Sequence, residues 1–502
     1  MKKVIIIWAG FWGLATAILL AKKGFEVKVL EKNDKAWGRA NLLEAQGYKW
    51  DMGPSRYLMP DAFEKFFAAI GEKISDHFTL QKLSPSYRVY FKDAAQDAQQ
   101  VDMYSDISKA MEVFESMETG AGEQLRKYLA SSAHQYDIAM NKFVNKNFDS
   151  IRDFLTPQLA IEGMQLNIFT SLYKYVSRFV KDERLKKILM YPSVFLGTSP
   201  YQTPALFNIM SHVDFNQGVF YPEGGIYEVS KALYNIALQA GVTFEFDTAV
   251  TNIEVQDGKV KGVKTKKWSE EGYYLADIVV SNADMHHTET RLLEDTNQSY
   301  PESYWGKKVI SPSGFILYLG VDGKLPQLQH HTLIFSENRK EGFDEIFSKP
   351  SRPTDPNYYI CNPSKTDPKV APEWKENLFV LVPIAPGLEY NDETIKQYSE
   401  TIIADIAKTC KIPDLASRIE FTQTFSIPDF ESYYNAYKGT ALGLAHTFFQ
   451  SSLRRPDNYS KKVEGLYYAG GYTTPGIGMP MCLISGMLVT ERILKKYLLQ
   501  WT

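Results

Sequence analysis

Trp8-Ala9-Gly10-Phe11-Trp12-Gly13 stands between a β-branched run, Val4-Ile5-Ile6-Ile7, and an apolar stretch from Leu14 to Lys23. Glycines at such a bend let the backbone approach a ligand closely. A helix that begins there turns its free N–H groups and its dipole toward an anion. Phe25 to Leu30 alternates as a second strand and delivers Glu31, followed by Lys32, about 20 residues beyond the turn. The chemistry this spacing offers is dinucleotide binding, with a pyrophosphate over Gly10 and Gly13 and a ribose hydroxyl on Glu31. An acid at the strand tip favours an unphosphorylated ribose. The full G-x-G-x-x-G pattern is not met, because Trp8 takes the place of the first glycine.

Two further stretches have the same character. Ala36-Trp37-Gly38-Arg39 offers a guanidinium to a phosphate or a ring carbonyl, and Gly47 to Ser55 gives a turn, a short strand and a second glycine turn. Near the C-terminus, Gly465 to Gly471 reads as a strand entering a double-glycine turn. Thr473 to Pro480 continues that turn, and a helix is predicted over 481–499. Gly470, Gly471, Gly476 and Gly478 free that backbone for close approach. A helix start near Met479 would aim amide dipoles at a ring carbonyl.

The elements that position these turns are a strand–helix–strand unit at the N-terminus and strands that recur much later. Helices are predicted over 61–70, 107–118, 123–144, 157–179, 227–240 and 393–408, and strands over 242–250, 276–284, 314–321 and 377–382, with a hairpin turn at Asp257-Gly258-Lys259. The strands at 242–280 can return to the first sheet and make that unit discontinuous. The stretch from Leu159 to Phe179 mixes aromatics with Lys174 and Arg178, which suits either a packed helix or one lying on a bilayer surface. Met1-Lys2-Lys3 followed by 18 uncharged residues imitates an export signal, but two glycines interrupt it and a strand follows directly.

With 502 residues the chain can form two or three domains, and a net charge of −3 gives no nucleic-acid footprint. Cys361, Cys410 and Cys482 lie far apart, as expected in a reducing compartment. The pairs His286-His287 and His330-His331 match no metal spacing and are expected at the surface or in loops, so no metal site is expected. Aromatic residues make up 14% of the chain, enough to line an apolar channel, sit at a membrane interface or fill a large core.

Taken in order, the blocks GYKWDMGPS (47–55), GTSPYQTPAL (197–206), GVFYPEGG (218–225), ADIVVSNAD (276–284), SKTDPKVAPE (364–373), RRPDN (454–458) and GLYYAGGYTTPGIGMP (465–480) resemble the bacterial-type phytoene desaturases, carotenoid desaturases on the flavin amine oxidase fold. The resemblance runs nearly end to end. It implies an α/β fold: a Rossmann-like FAD-binding domain from 1–75, 218–300 and 461–502, a helical, membrane-associated segment over 76–217, and a mixed α+β substrate domain over 301–460.

It also implies FAD, held by Gly10, Gly13, Glu31, Lys32, Gly38, Arg39, Gly53, Pro54, Ser55, Gly471, Gly478 and Met479, with the adenine against the Val250 backbone. The implied substrate is a linear carotenoid precursor, 15-cis-phytoene converted towards lycopene by hydride transfer to flavin, with quinone or oxygen as acceptor. No side chain can accept hydride, whereas a flavin can. Asp149 and Arg152 fall where the family has been suspected of placing a proton acceptor. The implied location is cytoplasmic, peripherally on the cell membrane.

A C30 diapophytoene desaturase, a carotenoid isomerase or ketolase, an amine oxidase and a flavin-free polyene-binding protein remain alternatives. The last follows from the departures. Where the family pattern has glycines, this chain has Trp8, Trp12 and Trp37, and Thr474 stands where the family often has histidine. Indoles at those turns predict sharply reduced FAD affinity on a scaffold that still folds.

Overall fold

The computed structural model describes residues 1–92, 100–148, 167, 169–337, 339–451 and 454–498. The β-branched run forms β1 (Lys3–Ile7), and the first helix, α1, spans Phe11–Ala21. Gly24 ends that helix at φ +85°, its N–H returning to the Ala21 carbonyl, and the chain re-enters as β2 (Glu26–Leu30). β3 (Thr243–Glu245), β4 (Ile278–Ser281) and β5 (Leu466–Tyr468) join these two in one parallel sheet of order β5-β4-β1-β2-β3. Its register sets Val4 beside Val27 on one side and Ile278 on the other. Buried on both faces, β1 and β4 read as near-continuous apolar runs, whereas β2 alternates and β3, at the sheet edge, is only partly buried.

Two helices cover the sheet beside α1: α2 (Tyr227–Gln239) and α3 (Met479–Tyr497). The α1–α3 contact is close because Gly486 lacks a side chain; a Cβ there would stand 2.9 Å from that of Ala15. The strand predicted over 242–250 is divided. Asp247 turns at φ +53°, and the Asp247 and Thr248 N–H groups bond the Asn33 and Glu31 carbonyls. The chain then forms a separate antiparallel sheet of Ala249–Gln256, Lys259–Lys267 and Glu270–Leu275, with its first hairpin turning at Asp257-Gly258.

A seven-stranded sheet makes the second layer, in the order 419–425, 313–321, 376–384, 358–361, 331–335, 87–91 and 100–103. All its pairings are antiparallel except that between 331–335 and 87–91. One face packs on the helix Asp392–Thr409. The other faces a cavity roofed by the helices of the 107–215 region. The first part of the helix predicted over 157–179 lies outside the described residues; within them the helix is Leu172–Val176. No helix among the described residues is long and apolar enough to cross a membrane.

Candidate active site

The parallel strands β1 and β2 end at one edge, so Trp8 and Glu31 leave the sheet side by side. The Trp8 N–H bonds the Leu30 carbonyl at 2.9 Å. Glu31 is 1% exposed; its Oε2 accepts the Ala9 N–H at 2.8 Å and its Oε1 the Asn33 N–H at 2.9 Å. Burial pushes its carboxyl up to about 7, against the pull of those two amides. The acid thus ties the strand tip to the turn. Asn282, at the end of β4, donates its Nδ2–H to the Trp8 carbonyl at 3.1 Å and fixes the turn from the other side. A Cβ on Gly13 would overlap that same carbonyl, so only glycine fits there.

Trp8 and Trp37 hold φ values of +80° and +123°, in the region where glycine is favoured. Gly10 and Trp37 form a parallel bridge between the two turns, and the Trp37 N–H bonds the Ala9 carbonyl at 2.9 Å. The backbone therefore follows a glycine-shaped path while carrying indoles. Trp8 is 8% exposed, 5.9 Å from the Tyr434 ring, with the Arg39 guanidinium 5.7 Å from its centroid. Trp37 packs edge-on against Tyr227 and Tyr234 at 5.0 and 5.3 Å. The Nε1 atoms of Trp12 and Trp37 are buried without a hydrogen-bond partner among the described residues.

The C-terminal turn faces this one. Gly476 and Gly478 hold φ values of +121° and +115°, and Gly478 precedes the first turn of α3. Buried Arg455 staples the turn, donating to the carbonyls of Leu444, Gln450, Gly471 and Thr473. Burial lowers its pKa to about 9. Buried His446 lies against Gly476, and its Nε2 accepts the Ile477 N–H at 3.4 Å.

From the two turns a cavity of about 930 Å³ runs along the face of the seven-stranded sheet, past Trp8, Trp37, Tyr434, Tyr359, Phe335 and Phe343. One polar network interrupts its apolar wall. Arg56 Nη1 donates to the Tyr191 hydroxyl at 2.7 Å, and Tyr191 and Tyr87 donate to Asp214 at 2.9 and 2.8 Å. Burial raises the Asp214 carboxyl, and Arg56 opposes the shift.

Beside this network lie His330, His331 and Cys361, their ligand atoms within 4.8 Å of one another. These histidines were expected at the surface or in loops, yet both are buried. Each Nδ1 has found a hydroxyl, that of half-buried Thr366 or of buried Tyr359, at 2.7 Å. Burial first, and Arg56 after it, hold both imidazoles well below their usual range.

The residues singled out from the sequence come together in part. Gly10, Arg39, Gly53, Gly478 and Met479 line the cavity at the two turns, Gly38 and Gly471 stand behind Trp8 and Trp12, and Gly13 packs on the Trp8 carbonyl and Asn282. A Cβ on Gly53 would meet the Arg39 carbonyl at 2.5 Å, and Pro54 and Ser55 continue along the cavity. Lys32 turns away, bonding the Ser432 carbonyl and Asn435 at 2.8 and 3.0 Å. Val250 opens the antiparallel sheet just beyond Thr248, which bonds the Glu31 carbonyl. Asp149 and Arg152 lie outside the described residues. Asn282, Arg455, Arg56 and Asp214 were not singled out, although Asn282 and Arg455 stand inside quoted blocks.

The family model for flavin containing amine oxidoreductases matches residues 13–494, beginning just past Trp8 and Trp12. The chain belongs to that family, a class of FAD-dependent oxidoreductases. Within it the chain is a member of the carotenoid desaturase branch, which acts on CH–CH bonds. It is 44% identical to the carotenoid 3,4-desaturase of Haloarcula japonica over 98% of both chains. It is 34% identical to the zeta-carotene-forming phytoene desaturase of Myxococcus xanthus, over 98% of this chain and 94% of that one. An oxidoreductase from Methanosarcina mazei has the same fold, with a TM-score of 0.63 and 18% identity over 97% of this chain and all of the other.

Two features that would serve the ends of the family's FAD are kept in this chain, the acid Glu31 at the tip of β2 and the glycine turn before α3; FAD would have to pass between them. It does not fit between them, where the pyrophosphate would lie and three indoles stand instead.

Proposed function

We propose that the chain carries the scaffold of a desaturase for linear carotenoids, with 15-cis-phytoene converted towards lycopene as the reaction the scaffold is built for. The observation that carries this reading is the full-length relationship to two carotenoid desaturases, joined to a long cavity walled by aromatic side chains. A linear polyene has no polar group to be recognised. Its binding therefore depends on apolar contact along its length, and its orientation on the shape of the walls. The sheet strands 331–335, 358–361 and 376–384 supply a rigid floor, and Tyr434 and Phe430 close the end next to the turns. Excluding water from this space protects a partly oxidised chain from side reactions.

We also propose that the protein sits peripherally on the cytoplasmic face of the cell membrane. Phe169, which lines the cavity, is 86% exposed and stands 6.2 Å from Phe448; Phe449 beside it is 73% exposed. Apolar rings at a cavity mouth suit entry of a substrate dissolved in lipid.

The test uses the chain with Trp8, Trp12 and Trp37 each changed to glycine, produced in a host that accumulates phytoene. New absorption bands of extended conjugation are expected among the extracted pigments, and their chain length separates C40 from C30 substrates. Unchanged phytoene in the presence of flavin-loaded protein would remove the reading.

A further inference from the structure

We infer that the three indoles close the pyrophosphate seat, so that the chain as it stands folds with an intact substrate cavity but does not retain FAD. The seat is defined by two glycines without side chains, Gly10 and Gly38, which face each other across the paired turns. One indole covers both. A Cβ on Gly38 would lie 3.2 Å from Trp8 Cζ2, and one on Gly10 would lie 3.9 Å from Trp8 Cδ2. The space that the missing Cβ atoms leave open is filled by carbon from the same turn.

Trp12 closes the seat from the helix side. It occupies the first turn of α1, where free N–H groups would serve an anion. Its Cζ2 reaches to 3.9 Å from the position of a Cβ on Gly471, in the facing turn. The ring thus lies between the donors and the opposite wall. Trp37 brings a third indole to the cavity wall at the bridge to Gly10.

Electrostatics point the same way. Arg39, the one guanidinium offered to this space from the sequence, lies 5.7 and 5.4 Å from the ring centroids of Trp8 and Tyr434, which stand 5.9 Å from each other, and its Nη2 donates to the Thr440 carbonyl at 3.4 Å. A pyrophosphate entering here would leave water for aromatic carbon, although the Arg39 Nε is buried without a hydrogen-bond partner among the described residues. The partnerless Nε1–H groups of Trp12 and Trp37 are the rival consideration, since an indole N–H can donate to a phosphate. The position of the Trp8 ring decides against them, because it lies over the glycines that the phosphates must approach.

Retention is measured directly and needs no carotenoid. The chain as it stands and the triple variant Trp8→Gly, Trp12→Gly, Trp37→Gly are each mixed with excess FAD and desalted, flavin absorbance is read against protein, and affinity is then titrated by calorimetry. Thermal unfolding of both establishes that each is folded. The triple variant should emerge yellow and bind FAD at least about 100-fold more tightly than the unaltered chain. Stoichiometric FAD on the unaltered chain would overturn the inference. So would a folded triple variant that binds no better than the unaltered chain. A triple variant that holds FAD but leaves phytoene untouched would sink the proposed function and leave this inference standing.

Discussion

Two turns face each other across the nucleotide space, each following a parallel strand and leading into a helix, and only one carries indoles in its bend. The turn after β5 places Gly476 and Gly478 at positive φ, with the His446 ring lying against Gly476. The turn after β1 keeps a glycine-shaped backbone at Trp8 and at Trp37 on the neighbouring turn, yet fills it with indoles. The comparison separates two uses of glycine that sequence patterns merge. One is permission for a backbone path; the other is room for a ligand. At the N-terminal turn the path survives and the room is gone.

The largest effects should come from glycines that the protein itself needs. Gly13→Val would drive side-chain carbon into the Trp8 carbonyl and Asn282. Gly476→Val would overlap the His446 ring at a backbone angle that a β-branched residue rarely adopts. Each is expected to cost about 3 kcal/mol or more, visible as loss of soluble protein or a steep fall in denaturation midpoint. Were either tolerated, the two turns would differ less than their geometry implies.

A pH effect of similar size belongs to the N-terminal side. The Glu31 carboxyl titrates at about 7 when folded, against 4.5 ordinarily. Between those values the folded chain keeps a proton that the unfolded chain has released. Stability is therefore full below pH 4.5 and falls as pH rises toward about 7, by about 3 kcal/mol at most. Asp51, which holds the 224–227 turn through the Ile226 and Tyr227 N–H groups, is likewise raised by burial to about 7 and adds to the slope. Urea unfolding at several pH values should show a shallower slope for Glu31→Gln and a shallower one still for Glu31→Gln with Asp51→Asn, the remaining pH dependence belonging to other buried groups such as Asp214, His330 and His331. An unchanged slope in both would place the buried proton elsewhere.

The strand–turn–helix–strand unit was legible because each of its signals is local: a β-branched run, a glycine at each bend and an acid at a strand tip. The cavity network was not. Arg56, Tyr87, Tyr191 and Asp214 come from four distant stretches, and each reads alone as an ordinary surface polar or aromatic residue. His330-His331 was misplaced for the same reason, since its burial depends on hydroxyls of Tyr359 and Thr366 that only the folded sheet brings near. The division of the 242–250 strand also depended on non-local bonds, those to the carbonyls of Glu31 and Asn33. What was fully legible, the departure at Trp8, Trp12 and Trp37, is also what bears most directly on the site.

Arg39 gives a smaller test. In the unaltered chain its guanidinium lies on Trp8 and Tyr434, so Arg39→Ala should lower stability by about 1 kcal/mol. In the triple glycine variant the Trp8 ring is gone, and the same change should weaken FAD binding more than folding. A calorimetric titration set beside an unfolding curve, for both backgrounds, separates the two. Equal effects on stability in both would mean that Trp8 does not engage the cation.

The smallest expected effects lie within the C-terminal turn and sharpen the distinction between path and room. A Cβ on Gly478 would have ordinary contacts, the nearest at 3.9 Å, but φ there is +115°. Gly478→Ala should therefore cost about 1 kcal/mol through backbone strain alone. Gly470 differs on both counts. A Cβ there would meet nothing within 4 Å, and its φ is outside the positive range. Gly470→Ala is thus expected to change stability by less than about 0.5 kcal/mol. Measured on the triple glycine variant with FAD, the same substitution asks whether room at 470 is kept for the ligand. Unchanged stability with weakened FAD binding would assign Gly470 to the cofactor, and unchanged values of both would leave it a solvent-facing glycine. A loss of stability well above that limit would show that the turn closes more tightly in solution than its geometry allows.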